Sequence, residues 1–229
     1  MTAARRPVVA MILAAGRGER MRPLTDTLPK PLLRVQGKPL IEWHVERLAR
    51  AGIERIVVNL SWLGSMIRDH LGDGSRFGVS IHYSEELPRA LETAGGIFRA
   101  LPSLSPDPFL VVNGDVFTDY PFERMGVDAT LDAHLVLVPN PTQHRAGDFG
   151  VQGGLAVPAD IALPTGAKLH TFSGIAAYRR ELFFGCADGV FPLKPLLIRA
   201  MAAGRCSAEI YTGRWEDVGT PQRLEALNR

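Results

Sequence analysis

Short apolar runs separated by helical patterns constrain this chain more than any other feature. "VVAMILA" (8–14), "RIVVNL" (55–60), "GVSIHYS" (78–84) and "PFLVVNGD" (108–115) each read as a strand. The unbroken apolar run "VVAMIL" is the pattern of a strand buried on both faces. Between the strands lie "PLIEWHVERLARAG" (39–52), "WLGSMIRDHLGDG" (62–74) and "ETAGGIFRALPSL" (92–104). The first of these puts Ile41, Val45 and Leu48 on one helical face, with Pro39 near its start and Gly52 after its end. A βαβαβαβ series of this kind predicts parallel strands with helical crossovers.

The second half is less regular. "AHLVLVP" (133–139), "GDFGVQGG" (147–154), "KLHTFSGIAAY" (168–178) and "SAEIYTGRW" (207–215) read as strands, and "FPLKPLLIRAMAAG" (191–204) as a helix. "TPQRLEALN" (220–228) reads as a closing helix, with Thr220 as N-cap and Pro221 at the first helical position. No repeat or flexible linker divides the chain. The expectation is one α/β domain over residues 1–229. It has a Rossmann-like, mixed, mostly parallel sheet with helices on both faces.

The segment after the first strand is chemically unusual. Gly16 and Gly18 alternate with Arg17, Arg20 and Arg22, and Lys30 follows between two prolines. Ligands of open α/β sheets bind beyond the carboxyl ends of the strands. Glycines there let backbone amides form an anion nest, and Arg17 could reach phosphate oxygens bidentately. Proline neighbours stiffen the backbone around Lys30 and make it a fixed charge. A dinucleotide fingerprint GxGxxG would need glycine where Met21 stands, and a Walker A loop is absent. With a formal net charge of only +2, bulk electrostatic binding of nucleic acid is not expected, so the anion site must be local. No apolar run reaches membrane-spanning length. The Arg-Arg pair before "PVVAMILAAG" could mimic a secretory signal, but the basic motif that follows favours a strand. Two isolated cysteines, Cys186 and Cys206, fit a reduced cytoplasmic protein without membrane partners.

"LAAGRGERMRPLT" followed by "LPKPLL" resembles the signature of the nucleotidyltransferases that couple a nucleoside triphosphate to a sugar 1-phosphate. The family pattern is L-A-A-G-x-G-x-R-[ML]-x-P-L-T with a downstream P-K-P, and every fixed position is present. The resemblance implies that Leu13, Ala14, Ala15, Gly16 and Gly18 cradle the nucleotide, with Arg17 and Lys30 as the catalytic cations. Asp115, ending "FLVVNGD", and Asp217 in "WEDVGTP" take the places of the family's Mg²⁺ ligands. "LETAGGIF" resembles the segment that receives the base, so Gly95 and Gly96 are expected there. Glu85 (or its neighbour Glu86) and Asn59 are further base candidates. Asn113, Asp148, Ser173 and Gly174 are expected at the sugar.

Compact length, "NGDVFTDY", "GDF", "TFSGI" and "WEDVGT" resemble most the short bacterial members that transfer UMP from UTP to a carboxylate-bearing hexosamine 1-phosphate in cell-wall recycling. No β-helical acetyltransferase domain is expected. Mannose- or heptose-1-phosphate guanylyl transfer is the same-class alternative. A non-catalytic nucleotide-sugar sensor is the other, and intact Lys30, Asp115 and Asp217 argue against it. The sequence departs from the pattern at Ala94, where a third glycine is expected, and over 155–169, which has no match. A sugar carboxylate would need a donor; Arg145, Lys168 and the amides of the turn at 153–155 are the candidates near that segment.

Overall fold

A computed structural model describes residues 4–159 and 168–229. The elements are β1 (Val9–Leu13), β2 (Arg34–Val35), β3 (Lys38–Pro39), α1 (Leu40–Arg50), β4 (Arg55–Leu60), α2 (Gly64–Leu71), β5 (Ser80–Glu85), α3 (Glu92–Ala100), β6 (Phe109–Asn113) and β7 (Val116–Thr118). They continue with β8 (Ala133–Val138), β9 (Phe149–Gln152), β10 (Leu155–Pro158), β11 (Thr171–Tyr178), α4 (Lys194–Ala202), β12 (Cys206–Ile210), β13 (Trp215–Asp217) and α5 (Pro221–Leu227).

Nine strands form one sheet in the order β5-β4-β1-β6-β11-β8-β12-β10-β9. The first four are parallel, β11 runs antiparallel to both β6 and β8, and the far edge is the antiparallel β10–β9 pair. The sheet is therefore mixed and mostly parallel, with chain order reversing between β1 and β6. That switch point opens a crevice beyond the two strand ends.

Alternation within the apolar runs explains the layers. Val9 and Met11 of β1, with Phe109 and Val111 of β6, pack under α3 (Ala94, Ile97, Ala100) and α4 (Leu196, Leu197, Ala200). Ala10 and Ile12, with Leu110 and Val112, pack on the other face under α1 (Ile41, Val45, Leu48) and α2 (Ile67, Leu71). Two-sided burial is what makes these strands read as unbroken hydrophobic sequence. Each fully buried Ile or Leu contributes about 1.5–3 kcal/mol by area. The run "VVAMILA" is thus a central strand of the sheet.

Three features escaped the sequence reading. "SAEIYTGRW" is two strands, not one: β12 joins the main sheet, while β13 pairs antiparallel with β7 in a separate ribbon. The β2–β3 hairpin and β10 were also unmarked, being two to four residues long. Of the stretch 155–169 that had no match, residues 160–167 lie outside the described residues.

A third small core sits under the site. Met21 of the glycine-arginine loop packs with Leu33, Val35, Leu40, Phe117 of β7, Val218 and Leu227. One apolar cluster therefore fixes two motifs that lie almost two hundred residues apart in the chain.

Candidate active site

The loop after β1 owes its shape to Gly18. Its φ is +67°, and a Cβ there would stand 3.1 Å from Thr25 Cγ2 and 3.2 Å from Lys30 Cβ. A side chain would be strained both locally and against its neighbours. Thr25 Oγ1 donates to Gly18 O at 2.8 Å and closes the loop. Gly16 is different: it is exposed, and a Cβ would meet nothing within 4 Å. Leu13, Ala14, Ala15 and Gly16 line a cavity of about 270 Å³ at the switch point, together with Lys30 and Asn59. The Ala14 amide is already used, donating to Asn59 Oδ1 at 2.6 Å.

Lys30 sits in a single 3₁₀ turn with its neighbouring proline, and the residue is buried. Its Nζ lies 2.5 Å from Asp115 Oδ2. Asp115 follows Gly114, where a Cβ would approach Leu13 O to 2.7 Å, so only glycine lets the chain leave β6 alongside β1. Asp217 reaches the same place through the ribbon. It is registered opposite Val116, and the Val218 amide donates to Asp115 O at 2.9 Å. Both carboxylates line one cavity of about 240 Å³. Among the described residues no cluster of three His, Cys, Asp or Glu forms, so the acidic donors here are these two. Two hard carboxylates with room for phosphate oxygens suit Mg²⁺, which takes few protein ligands.

Both acids are matched by cations. Lys30 faces Asp115, and Arg223 Nη1 donates to Asp217 Oδ2 at 2.6 Å and to its carbonyl at 2.8 Å. Arg223, on the first turn of α5, had no signal in the sequence beyond its place next to "WEDVGTP".

Arg17, expected at the phosphates, is committed to its own loop. It donates to Thr25 O at 2.9 Å, lies 3.6 Å from Asp26 and stacks 3.7 Å over the Trp62 ring. The loop cation that faces the aspartates is Arg20, which is exposed and lines their cavity. The signal was available, because Arg20, not Arg17, occupies the fixed arginine of the motif.

The base candidates need a second correction. Glu85 is exposed and paired with Arg68 on the outside of the sheet edge. Glu86 is the buried one, 1% exposed, and lines the switch-point cavity. Asn59 Nδ2 donates to Glu86 Oε1 at 2.6 Å, and the Leu91 amide donates to Oε2 at 2.7 Å. Asn59 thus bridges the loop after β1 and Glu86, as a buried clamp. Gly95 and Gly96 are not among the residues that line this cavity. A Cβ on Gly95 would stand 2.2 Å from Gly189 O, and one on Gly96 2.3 Å from Glu86 Oε1, so both serve close packing. The Gly95 amide is bonded to Phe191 O at 3.1 Å. Thr93 and Glu92 line the cavity instead, with Glu92 at φ +61°, a strained value of the kind found at ligand sites.

On the sugar side, Asn113 lines the cavity beside the aspartates. Gly174, at φ +77°, makes room for it: a Cβ would collide with the Asn113 amide at 2.5 Å. Ser173 does not offer its hydroxyl, which donates to Val136 O at 2.7 Å and accepts from the Ile175 amide inside the β11 bulge. Its carbonyl accepts from Trp215 Nε1 at 2.9 Å, tying the bulge to β13. Asp148 Oδ2 accepts from the Phe172 amide at 2.9 Å, and its Oδ1 lies 3.2 Å from His144 Nε2.

The arrangement is a crevice with glycine loop, cations and paired carboxylates at the end of β1 and β6. Residues 9–152 match the nucleotidyl transferase family model. The chain is 52% identical over 222 residues to the N-acetylmuramate alpha-1-phosphate uridylyltransferase of Neisseria meningitidis, covering 94% of this chain and 95% of that one. It is 35% identical to the protein of the same name from Caulobacter vibrioides, with 94% and 93% covered. A solved Bacillus anthracis structure, described as a putative glucose-1-phosphate thymidylyltransferase in complex with sucrose, shares the fold at a TM-score of 0.80 and 22% identity, over 96% of this chain and 93% of that one. The chain belongs to the nucleotidyl transferase family.

Proposed function

We propose that this protein transfers UMP from UTP to N-acetylmuramate α-1-phosphate, giving UDP-N-acetylmuramate and pyrophosphate. The observation that carries the reading is the meeting of Lys30, Asp115 and Asp217 at the switch point, in a chain alike from end to end to a protein of that name.

The reaction asks little covalent chemistry of the protein. A phosphate oxygen of the sugar 1-phosphate attacks the α-phosphorus of UTP. The bond from the α-phosphorus to the bridging oxygen breaks in line, and pyrophosphate leaves with the electron pair. The nucleophile is already an anion, so no general base is required. Positioning and charge neutralisation are the protein's contribution. The loop amides around Gly16 bind the phosphates, and Arg20 adds charge at the aspartate side of the crevice. Lys30 leaves Asp115 to meet the α-phosphoryl oxygens as their charge builds. Asp115 and Asp217 hold Mg²⁺, which supplies Lewis-acid neutralisation of the phosphate oxygens when bound. The buried clamp of Asn59 and Glu86 shapes the base pocket.

Cellular setting follows from the same reading: a cytoplasmic enzyme of cell-wall recycling. No helix among the described residues is long and apolar enough to cross a membrane. Cys186 and Cys206 are free, and burial pushes the Cys206 thiol up to about 12, which keeps it unreactive.

The test is pyrophosphate release with each nucleoside triphosphate against a panel of sugar 1-phosphates. UTP with N-acetylmuramate 1-phosphate should give the highest kcat/KM. Faster turnover of GTP with mannose 1-phosphate would replace this reading with guanylyl transfer.

A further inference from the structure

Three cavities meet at Asn113, the last residue of β6. It lines the nucleotide pocket, the carboxylate pocket and a third cavity of about 310 Å³ bounded by β9, the β11 bulge and the start of α4. One wall of the third cavity is apolar, and Thr93 and Asn113 stand on its polar side. Phe149 and Phe172 meet edge to face at 6.5 Å and 63°, joined by Leu193 and Leu197. Two charged groups border it, Asp148 and Lys194. Asp148 is occupied: one oxygen accepts from the Phe172 amide, and the other lies 3.2 Å from His144 Nε2. Lys194 is exposed, and among the described residues it has no hydrogen-bond or ion-pair partner.

An unpaired ammonium beside an apolar wall complements a substituent that is apolar along its length and anionic at its end. The cavity also lies next to the place where the sugar 1-phosphate must bind, because Asn113 joins it to the Asp115–Asp217 pocket. We propose that Lys194 is the specificity residue of this site: it receives the carboxylate of the substrate's lactyl ether, while the methyl group packs on the Phe149–Phe172 wall. The inference rests on the function proposed above and adds the residue that distinguishes N-acetylmuramate from N-acetylglucosamine. Of the donors expected from sequence, Arg145 is exposed and lines none of these three cavities, and neither does Lys168. A carboxylate near apolar walls needs a cationic donor, since an unpaired buried charge is costly, and Lys194 is the cation that borders these walls.

The experiment compares kcat/KM for N-acetylmuramate 1-phosphate and N-acetylglucosamine 1-phosphate, with UTP saturating, in the native protein, Lys194→Met and Lys194→Arg. The native protein should prefer the lactyl sugar. Lys194→Met should lower kcat/KM for that sugar about 10–100-fold, chiefly through KM, as expected for loss of a charge-assisted hydrogen bond. It should leave N-acetylglucosamine 1-phosphate and the KM for UTP unchanged, and Lys194→Arg should restore most of the preference. Equal losses on both sugars would make Lys194 a phosphate contact and overturn the inference. So would a preference that survives Lys194→Met, although the proposed activity would then stand. A native protein that turns over other sugar 1-phosphates but not N-acetylmuramate 1-phosphate removes the functional reading, and the inference with it.

Discussion

Lys30 Nζ and Asp115 Oδ2 stand 2.5 Å apart across 85 residues of chain, with the lysine side chain only 10% exposed. The pair holds Lys30, the cation to which the proposed reaction assigns catalysis, on a turn between prolines. In the proposed reaction its partner changes from a carboxylate to phosphoryl oxygens. Removing one preorganised donor of this kind costs about 10²–10³-fold in rate. Lys30→Ala should therefore lower kcat by that amount and change the KM for UTP less. Steady-state kinetics separate the two. A change confined to KM would make Lys30 an anchor for the ground state.

Asp217 is tested by a different variant. Asp217→Asn keeps the size of the side chain and an acceptor for Arg223 but removes the charge. The β7–β13 ribbon does not depend on that charge, so melting should change little. Turnover should fall by about 10³-fold, because a metal's charge stabilisation is worth several kcal/mol, and the Mg²⁺ concentration giving half-maximal rate should rise. A folded variant of near-native activity would take Asp217 out of the metal site.

Arg20 and Arg17 should separate in the same assays. Arg20 lines the aspartate cavity, so Arg20→Ala should cut kcat/KM by about tenfold or more, the loss of a charge-assisted contact. Arg17 stacks on Trp62 and bonds Thr25, so Arg17→Ala should loosen the loop. A partly exposed cation–π contact is worth about 0.5–1 kcal/mol, and the effect should appear as faster proteolysis of the loop and a modest rise in KM for UTP. Kinetics showing the reverse ranking would return the phosphate role to Arg17.

Much of this was legible in the residues. β1, β4 and β6 are unbroken apolar runs because both faces of each are covered, but the switch point between β1 and β6 lies in the strand order, which the runs do not carry. The glycine-arginine motif and the two aspartates could be named, though not their contact. β7 and β13 are three residues each, too short for any periodicity, and their pairing joins parts of the chain about a hundred residues apart. Glu85 and Glu86 show the limit most clearly. Successive side chains at a strand end point to opposite sides, so one glutamate faces solvent and its neighbour the pocket, and two identical residues carry no sign of which. The two glycines of α3 were visible, but their reason was not: the space they leave is filled by Glu86 and by Gly189 from another part of the chain.

That space gives a stability prediction. In an exposed helix, Gly→Ala gains about 1 kcal/mol of propensity. At Gly96 the new methyl would stand 2.3 Å from Glu86 Oε1, which is itself held by Asn59 and the Leu91 amide. Overpacking of this kind costs about 1–3 kcal/mol. Gly96→Ala should therefore lower the Tm despite its better propensity, and weaken UTP binding by displacing Glu86. Gly16→Ala, in open space, should leave the stability within about 0.5 kcal/mol of native. Calorimetry on the two variants decides it, and an unchanged Tm for Gly96→Ala would mean that the Glu86 clamp yields freely.

His44 supplies a pH dependence. It lies on α1 and is 1% exposed. Burial lowers its pKa from 6.5 to about 4, with the Val116 backbone and the Asp115 carboxylate offsetting part of that effect and Arg47 adding to it. The sign follows from proton counts. Between these two values the unfolded chain binds a proton at this position and the folded chain does not, so stability rises with pH across the window. Falling from pH 7 toward 4, the fold loses stability progressively. The total is on the order of 3 kcal/mol at 1.36 kcal/mol per pKa unit. His44→Leu removes the titration and fills a similar volume with apolar atoms. Its denaturation midpoint should therefore vary less than native between pH 4 and 6.5, and the two proteins should converge in slope above pH 7. If native and His44→Leu lose stability in parallel as the pH falls, the buried imidazole is not the group responsible for acid sensitivity in this range.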